Sequence, residues 1–339
     1  MYVQVIVVYL ECRCGIFFVG HLKTDKDESM KPISNRRNFL KQTGKTVLGS
    51  LLLPQVLRSS NIGYIVDESH VKLCGHLWVY ASKFPPNWDC TPVLDTVFQD
   101  MAYAGLYGVE LMEVLLRPDD AVRRIANLKA KHNIKVSGSS YGVGFQMCDA
   151  QQHKKILEDI HLVVPRLAAL GGETFGISVG SVNRLKTEKE LDAQAHILKQ
   201  VFKICQDNGI QPNLHNYTYE VENDLHDLKG TLARLPDAKL GPDLNWLIRA
   251  GVSPVDFINT YGDRIVYLHI RDQYADGTWT EYVGQGDTDF KAIAQALEKQ
   301  KFSGKAAIEL AFPNDFEPEN PLKEDWKMSR EFVQETFGW

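Results

Sequence analysis

The sequence predicts an α/β protein: a single-domain TIM-type (β/α)8 barrel after an N-terminal leader. From Val71 onward, short β-branched runs alternate with longer stretches whose apolar residues recur every three or four positions. Eight such pairs fit into about 270 residues, close to the roughly 250 of a barrel of this type. The first strand ends in Gly75-His76-Leu77-Trp78, not in the glycine-rich phosphate turn that an open, doubly wound sheet normally carries there. Parallel strands need crossovers of a dozen or more residues, which the helical stretches supply.

In chain order, strand Lys72–Tyr80 leads to a helix near 92–104, and strand Gly108–Met112 to one near 118–132. Strands Lys135–Tyr141 and Thr174–Val179 precede helices near 151–170 and 187–208. Strands Gln211–Asn216 and Lys239–Leu244 precede helices near 222–234 and 254–261. The last two units are Arg264–Ile270 with 289–301, and Ala306–Leu310 with 321–336. In the stretch 151–170, the helical spacing is read on Leu157, His161, Val164, Leu167 and Leu170. The chain shows no internal repeat beyond this alternation and no low-complexity linker.

Of 339 residues, 44% are hydrophobic and 24% charged, an ordinary globular composition. Residues 1–60 carry nine Lys/Arg against four Asp/Glu, and the remainder 29 against 39, so a basic leader precedes an acidic body. An acidic body without a basic stripe repels a phosphate backbone, which argues against nucleic acid as a partner. Six cysteines without a Cys-x-x-Cys pair exclude a zinc ribbon and a disulfide-stapled mini-protein. Cys74, Cys90, Cys148 and Cys205 are expected as buried thiols, with one disulfide left open.

The leader reads as an address. Arg36-Arg37, then Phe39-Leu40-Lys41 and the weakly apolar stretch 46–54, resemble a twin-arginine export signal. Such a signal belongs near a chain start, which points to Met30 as the true first residue. The apolar runs 2–10 and 15–20 are split by Glu11 and Arg13 and fall short of the ~20 residues a membrane span needs. The expected division is a leader at 1–60 and a barrel at 61–339, with the mature protein exported to the periplasm and holding no stable membrane span.

In such a barrel, reactive side chains gather at the C-terminal strand ends. There the last four strands present His215, Asp243, His269 and Glu309. Two imidazoles and two carboxylates suit one divalent ion of Mn, Co, Zn or Fe, whereas Mg prefers more oxygen. Glu110 closes the second strand and His76 lies on the first; an ion pair or a hydrogen-bonded core role is the alternative for each. Trp78, Tyr141, Tyr217 and Trp246 stand near strand ends, where they can stack on a pyranose face or simply pack.

At residues 72–336 the chain resembles the xylose isomerase-like barrels of the sugar phosphate isomerase/epimerase kind. The resemblance rests on His269-Ile-Arg-Asp272 with Tyr282-Val-Gly-Gln-Gly-Asp-Thr-Asp-Phe290, on Asp243-Leu-Asn-Trp246 with Arg249-Ala-Gly-Val-Ser-Pro254, and on Leu214-His-Asn-Tyr-Thr-Tyr-Glu220. It implies a divalent ion holding two adjacent sugar oxygens and stabilising an enediolate, while a carboxylate or imidazole moves the proton. Asp243, His269 and Glu309 fall on the family's ligand positions, and Arg271 where a basic residue meets a substrate oxygen; a rim salt bridge with Asp272 is the alternative for Arg271. His215, Glu309 and Glu110 are the candidate catalytic groups, and Trp246, His76 and Tyr217 the further substrate contacts.

The departure lies at strand five, where the family's epimerases present a Glu and this chain presents His215, with Tyr217 replacing the second His of a related branch. Two-base epimerisation then needs Glu110, Glu113 or Glu173 as the second acceptor. Some exported relatives that resemble this branch act on 3-keto-glycosides, removing the C2 proton and expelling the C1 substituent, a β-elimination that needs one base and one metal. The expected substrate is an unphosphorylated sugar or glycoside, processed by an isomerase/epimerase or by a 3-keto-glycoside 1,2-lyase. A metal-free sugar-binding barrel and an abasic-site nuclease are the lesser alternatives, and association into a homo-oligomer stays open.

Overall fold

The structure, a computed structural model, describes residues 71–142, 144–313 and 316–339. The leader at 1–60, with Met30 and the Arg36-Arg37 signal, lies outside the described residues. Seven strands are laid down: β1 (Lys72–His76), β2 (Gly108–Met112), β3 (Lys135–Tyr141), β4 (Thr174–Ile177), β5 (Gln211–Leu214), β6 (Tyr267–Ile270) and β7 (Lys305–Glu309). All pair in parallel, in the order β5-β4-β3-β2-β1-β7-β6.

The expected sixth strand, Lys239–Leu244, closes the gap between β5 and β6 without forming a ladder. Leu240 bridges Leu214 on one side and Ile265 on the other, and Asp243 bridges His269. Pro242 has no N–H to contribute, yet its carbonyl accepts the His269 N–H at 3.0 Å. Asp243 then turns the chain into the helix Leu244–Arg249, which the sequence reading had absorbed into strand and loop. The result is a (β/α)8 barrel with one strand reduced to bridges.

Other expected strands are shorter than read. The first stops at His76 because the chain enters a short helix, Trp78–Ala81. The fourth and fifth end at Ile177 and Leu214, and the seventh begins at Tyr267. Expected helices appear at Leu94–Tyr103, Ala121–His132, His153–Ala169, Glu188–Asp207, Thr218–Arg234, Pro254–Tyr261, Phe290–Lys299 and Leu322–Phe337. Within Thr218–Arg234 the backbone leaves helical geometry from Glu222 to Leu225. In His153–Ala169 the buried face is Ile156, Ile160, Val163, Val164 and Leu167, while His161 is exposed. The apolar stripe is therefore rotated from the one read at Leu157 and His161.

The main core lies between sheet and helices, and a separate small cluster of Cys74, Tyr267 and Ala307 fills the barrel interior. Cys74, Cys90, Cys148 and Cys205 are free and buried. Among the described residues, no helix is long and apolar enough to cross a membrane.

The closing segment tolerates no added bulk at Gly241, where a Cβ would stand 1.9 Å from Asn213 Oδ1 and 3.2 Å from the Tyr267 Cβ. Gly241→Ala is expected to lower stability by about 1–3 kcal/mol through overpacking. Denaturant unfolding of the two proteins, compared at equal m-values, checks this.

Candidate metal centre at the barrel mouth

Strand register assembles the site. His76 sits level with Glu110 on β2 and with Glu309 on β7, and Asp243 sits level with His269. The alternation of side chains along β6 puts Tyr267, His269 and the following Arg271 on one side. These residues are buried, with Asp243 fully so and Glu110 at 1% exposure.

His269 is held from two directions. Its Nε2 lies 2.8 Å from Glu110 Oε2, which also accepts the Tyr267 hydroxyl at 2.7 Å. Its Nδ1 lies 3.2 Å from Glu309 Oε2. Glu309 is paired through its other oxygen with Arg271, whose Nη2 is also 3.7 Å from Asp243 Oδ2. Asp243 Oδ1 accepts the backbone N–H groups of Asn245 and Trp246 at 2.8 and 3.1 Å, capping the helix Leu244–Arg249. Asn216 fixes the Asp243 backbone, accepting its N–H at 3.2 Å.

Charge follows from these contacts. Burial pushes His269 down, but Glu110 outweighs it and carries the imidazole up to about 9. Burial would raise Glu110, yet His269, His76 and the Tyr267 hydroxyl hold it below the usual carboxylate range. Glu309 is likewise held far below that range, burial being outweighed by Arg271 and the three neighbouring imidazoles. Asp243 goes the other way, pushed up to about 6 by burial against the pull of Arg271. Burial, with the His269 charge beside it, keeps His215 well below the ordinary histidine value.

Three of the four residues read as ligands come together: His215, Asp243 and His269 offer ligand atoms that all lie within 4.8 Å of one another. Glu309, the fourth, stands beside the same His269 nitrogen with Arg271 on its other oxygen. The donor set fits a divalent ion. His215 Nδ1, Asp243 Oδ2 and His269 Nδ1 are buried atoms without a hydrogen bond among the described residues, and such atoms carry a cost unless something binds them. Two nitrogens with carboxylate oxygen suit Mn, Co, Zn or Fe better than Mg.

The remaining candidates sort by their contacts. His76 has both ring nitrogens engaged, Nδ1 accepting from Trp78 N at 3.2 Å and Nε2 beside Ser140 Oγ at 3.0 Å, so a substrate contact there would displace one of them. Tyr217 packs on His215 at 5.3 Å and on Trp246 at 5.5 Å between ring centroids. Trp246 meets Trp279 edge-on at 6.0 Å, and the Arg271 guanidinium lies over both indoles. Trp78 instead packs on Trp88, and Tyr141 is buried against Phe145.

Two readings change. Asp272 makes no rim ion pair with Arg271; its Oδ2 accepts the N–H groups of Gly284 and Gly286, and Oδ1 that of Gln273. The Gly-Gln-Gly motif thus folds the loop back onto Asp272, with Gly284 at φ +101° where a side chain would be strained. Glu173 precedes β4 and pairs with Lys305 at the start of β7 (2.9 Å), at the opposite end of the barrel, so it cannot replace a mouth carboxylate. Glu113 is buried beside Arg117 and raised to about 7 by that burial.

Trp279 and Tyr267 were not read from the sequence. Tyr267 could have been found, since it lies two residues before His269 on one strand. Trp279 sits in an aperiodic loop where no spacing signals a role.

Fold and site together define a parallel β/α barrel with a candidate metal centre at its C-terminal mouth. The chain belongs to the xylose isomerase-like TIM barrel family, whose profile matches residues 98–334. Among solved structures it is similar to an L-ribulose 3-epimerase at 17% identity, covering 79% of this chain and 95% of that one, with TM-score 0.65. It is similar to a D-allulose 3-epimerase from Methylomonas sp. in complex with D-allulose, at 17% identity over 78% and 97% of the two chains, with TM-score 0.64. The 3-keto-D-glucoside 4-epimerase from E. coli aligns at 15% identity over 78% and 99%, with TM-score 0.60. At these identities the likeness shows the fold. No curated protein sequence matches.

Because Glu110 carries the His269 imidazole up to about 9, an ion taking its nitrogen must displace a proton at neutral pH. Affinity for Co(II) is expected to fall about tenfold per pH unit as pH drops from 9 to 7, with about one proton released per ion. Calorimetry at several pH values, in buffers of different ionisation enthalpy, measures both.

Proposed function

We propose that this protein is a divalent-metal-dependent sugar isomerase or epimerase that removes a proton beside the carbonyl of an unphosphorylated sugar. The observation that carries the reading is the set of buried atoms without a hydrogen bond on His215, Asp243 and His269, beside an ionised Glu309 and Arg271. A divalent ion, when held by His215, Asp243 and His269 with Glu309 adjoining, would supply Lewis acidity to sugar oxygens and so acidify the neighbouring C–H.

The chain's own groups do the rest. Glu309 is ionised at neutral pH and accepts the proton; Arg271 keeps it so and, on turning to a substrate oxygen, leaves a more basic carboxylate behind. Neutral His215 acts as a nitrogen donor. Tyr217 and Trp246 give the sugar ring apolar faces, and Trp279 steadies the Arg271 guanidinium. The twin-arginine signal read at Arg36-Arg37 accords with a periplasmic site of action and an unphosphorylated substrate.

One observation favours a second reading, β-elimination from a 3-keto-glycoside by a 1,2-lyase. Glu110, the nearest alternative to a second base, is buried and already bonded to His269 and Tyr267, whereas elimination needs one acceptor.

Elemental analysis of the purified protein is expected to find about one Mn, Co, Zn or Fe per chain, lost in His269→Ala. Absence of metal from both, even after reconstitution, overturns the reading and favours a sugar-binding barrel. Either chemistry should exchange the substrate's α-hydrogen for solvent deuterium, and Glu309→Gln should slow that exchange at least about 100-fold. Products then separate the two: an isomeric sugar of unchanged mass, or a released aglycone with an unsaturated keto-sugar.

A further inference from the structure

Glu110, a candidate catalytic group or ion-pair partner by sequence, turns its carboxylate toward the side chains of β6. It is almost wholly buried, and its Oε2 faces both the Tyr267 hydroxyl and the His269 Nε2. A carboxylate within 2.8 Å of a ring nitrogen accepts that nitrogen's N–H, which leaves the other nitrogen as the one that can offer a lone pair. The other nitrogen here, Nδ1, is buried and without a hydrogen bond, and Glu309 Oε2 stands 3.2 Å from it.

Resting on the metal-centre reading above, we infer that Glu110 is a positioning residue that makes Nδ1 the ligating atom of His269, with Tyr267 holding Glu110 in place. The Tyr267 hydroxyl and His269 Nε2 converge on the same carboxylate oxygen, from residues two apart on β6. The pair therefore fixes both the ring's rotation and its protonated nitrogen. Outer partners of this kind typically change metal affinity by about 10- to 100-fold when removed. Strand register supplies the arrangement: Glu110 on β2 reaches across the barrel to β6, whereas its lateral neighbours in the sheet are His76 and Gly138.

The test is Co(II) titration of the full protein, followed by its visible absorption spectrum, with Glu110→Ala, Glu110→Gln, Glu110→Met and Tyr267→Phe beside the wild type. Glu110→Ala is expected to weaken Co(II) binding about 10- to 100-fold and to alter the spectrum at saturation. Glu110→Gln, which keeps an acceptor oxygen, should restore the wild-type spectrum with a smaller loss of affinity. Glu110→Met, which keeps the bulk without an acceptor oxygen, should behave like Glu110→Ala, whereas a role confined to packing would let it restore the wild-type spectrum and so overturn the inference. Wild-type affinity and spectrum in Glu110→Ala overturn the inference while leaving the metal centre standing. Should no Glu110 variant fold, Tyr267→Phe decides: several-fold weaker binding supports the inference, and unchanged binding overturns it. A wild-type protein that binds no Co(II) overturns the metal-centre reading and this inference together.

Discussion

Three carboxylates buried at one end of a barrel need positive partners to stay ionised, and Arg271 and His269 are those partners here. Removing a charge from water costs several kcal/mol, which only close, well-directed pairing repays. Arg271 spans Asp243 and Glu309, while His269 stands between Glu110 and Glu309. The arrangement places positive charge beside the oxygens a divalent ion would use. Two consequences follow: Glu309 stays anionic, and Asp243, whose Oδ2 has only the more distant Arg271 contact, is the acid that burial destabilises.

Asp243 joins the local backbone to this chemistry. One of its oxygens caps the helix Leu244–Arg249 and the other is left over for the site. Because the cap engages Trp246 N, the same turn sets the position of an aromatic ring that continues through Tyr217 to His215 and through Trp279 to Arg271. The indole and the carboxylate cannot be moved independently.

Much of this was legible in the sequence. Short β-branched runs carrying His215, Asp243, His269 and Glu309 near their C-terminal ends announced both the barrel and its mouth, because a parallel barrel puts strand ends and chemistry in the same place. The sixth strand misled: Lys239–Leu244 has a strand's composition, but Pro242 and the Asp243 cap deny it a ladder. Glu110 was singled out as a candidate catalytic group or ion-pair partner, but a sequence cannot show that its carboxylate faces an imidazole four strands further along the chain. The Gly-Gln-Gly motif showed as a match without a mechanism; only the loop's fold onto Asp272 explains it. Tyr267 was hidden by its type, a tyrosine inside an apolar strand.

The thin sixth segment has one further implication. Between β5 and β6 the sheet is sewn by isolated bridges at Leu240 and Asp243, and His215, Asp243 and His269 stand on the three consecutive chain passes at that seam. An ion bound to all three would act as a clasp across the part of the circumference that no continuous ladder spans. Catalytic loading and mechanical closure of the cylinder would then be one event, with each binding step stabilising the closed form by mass action.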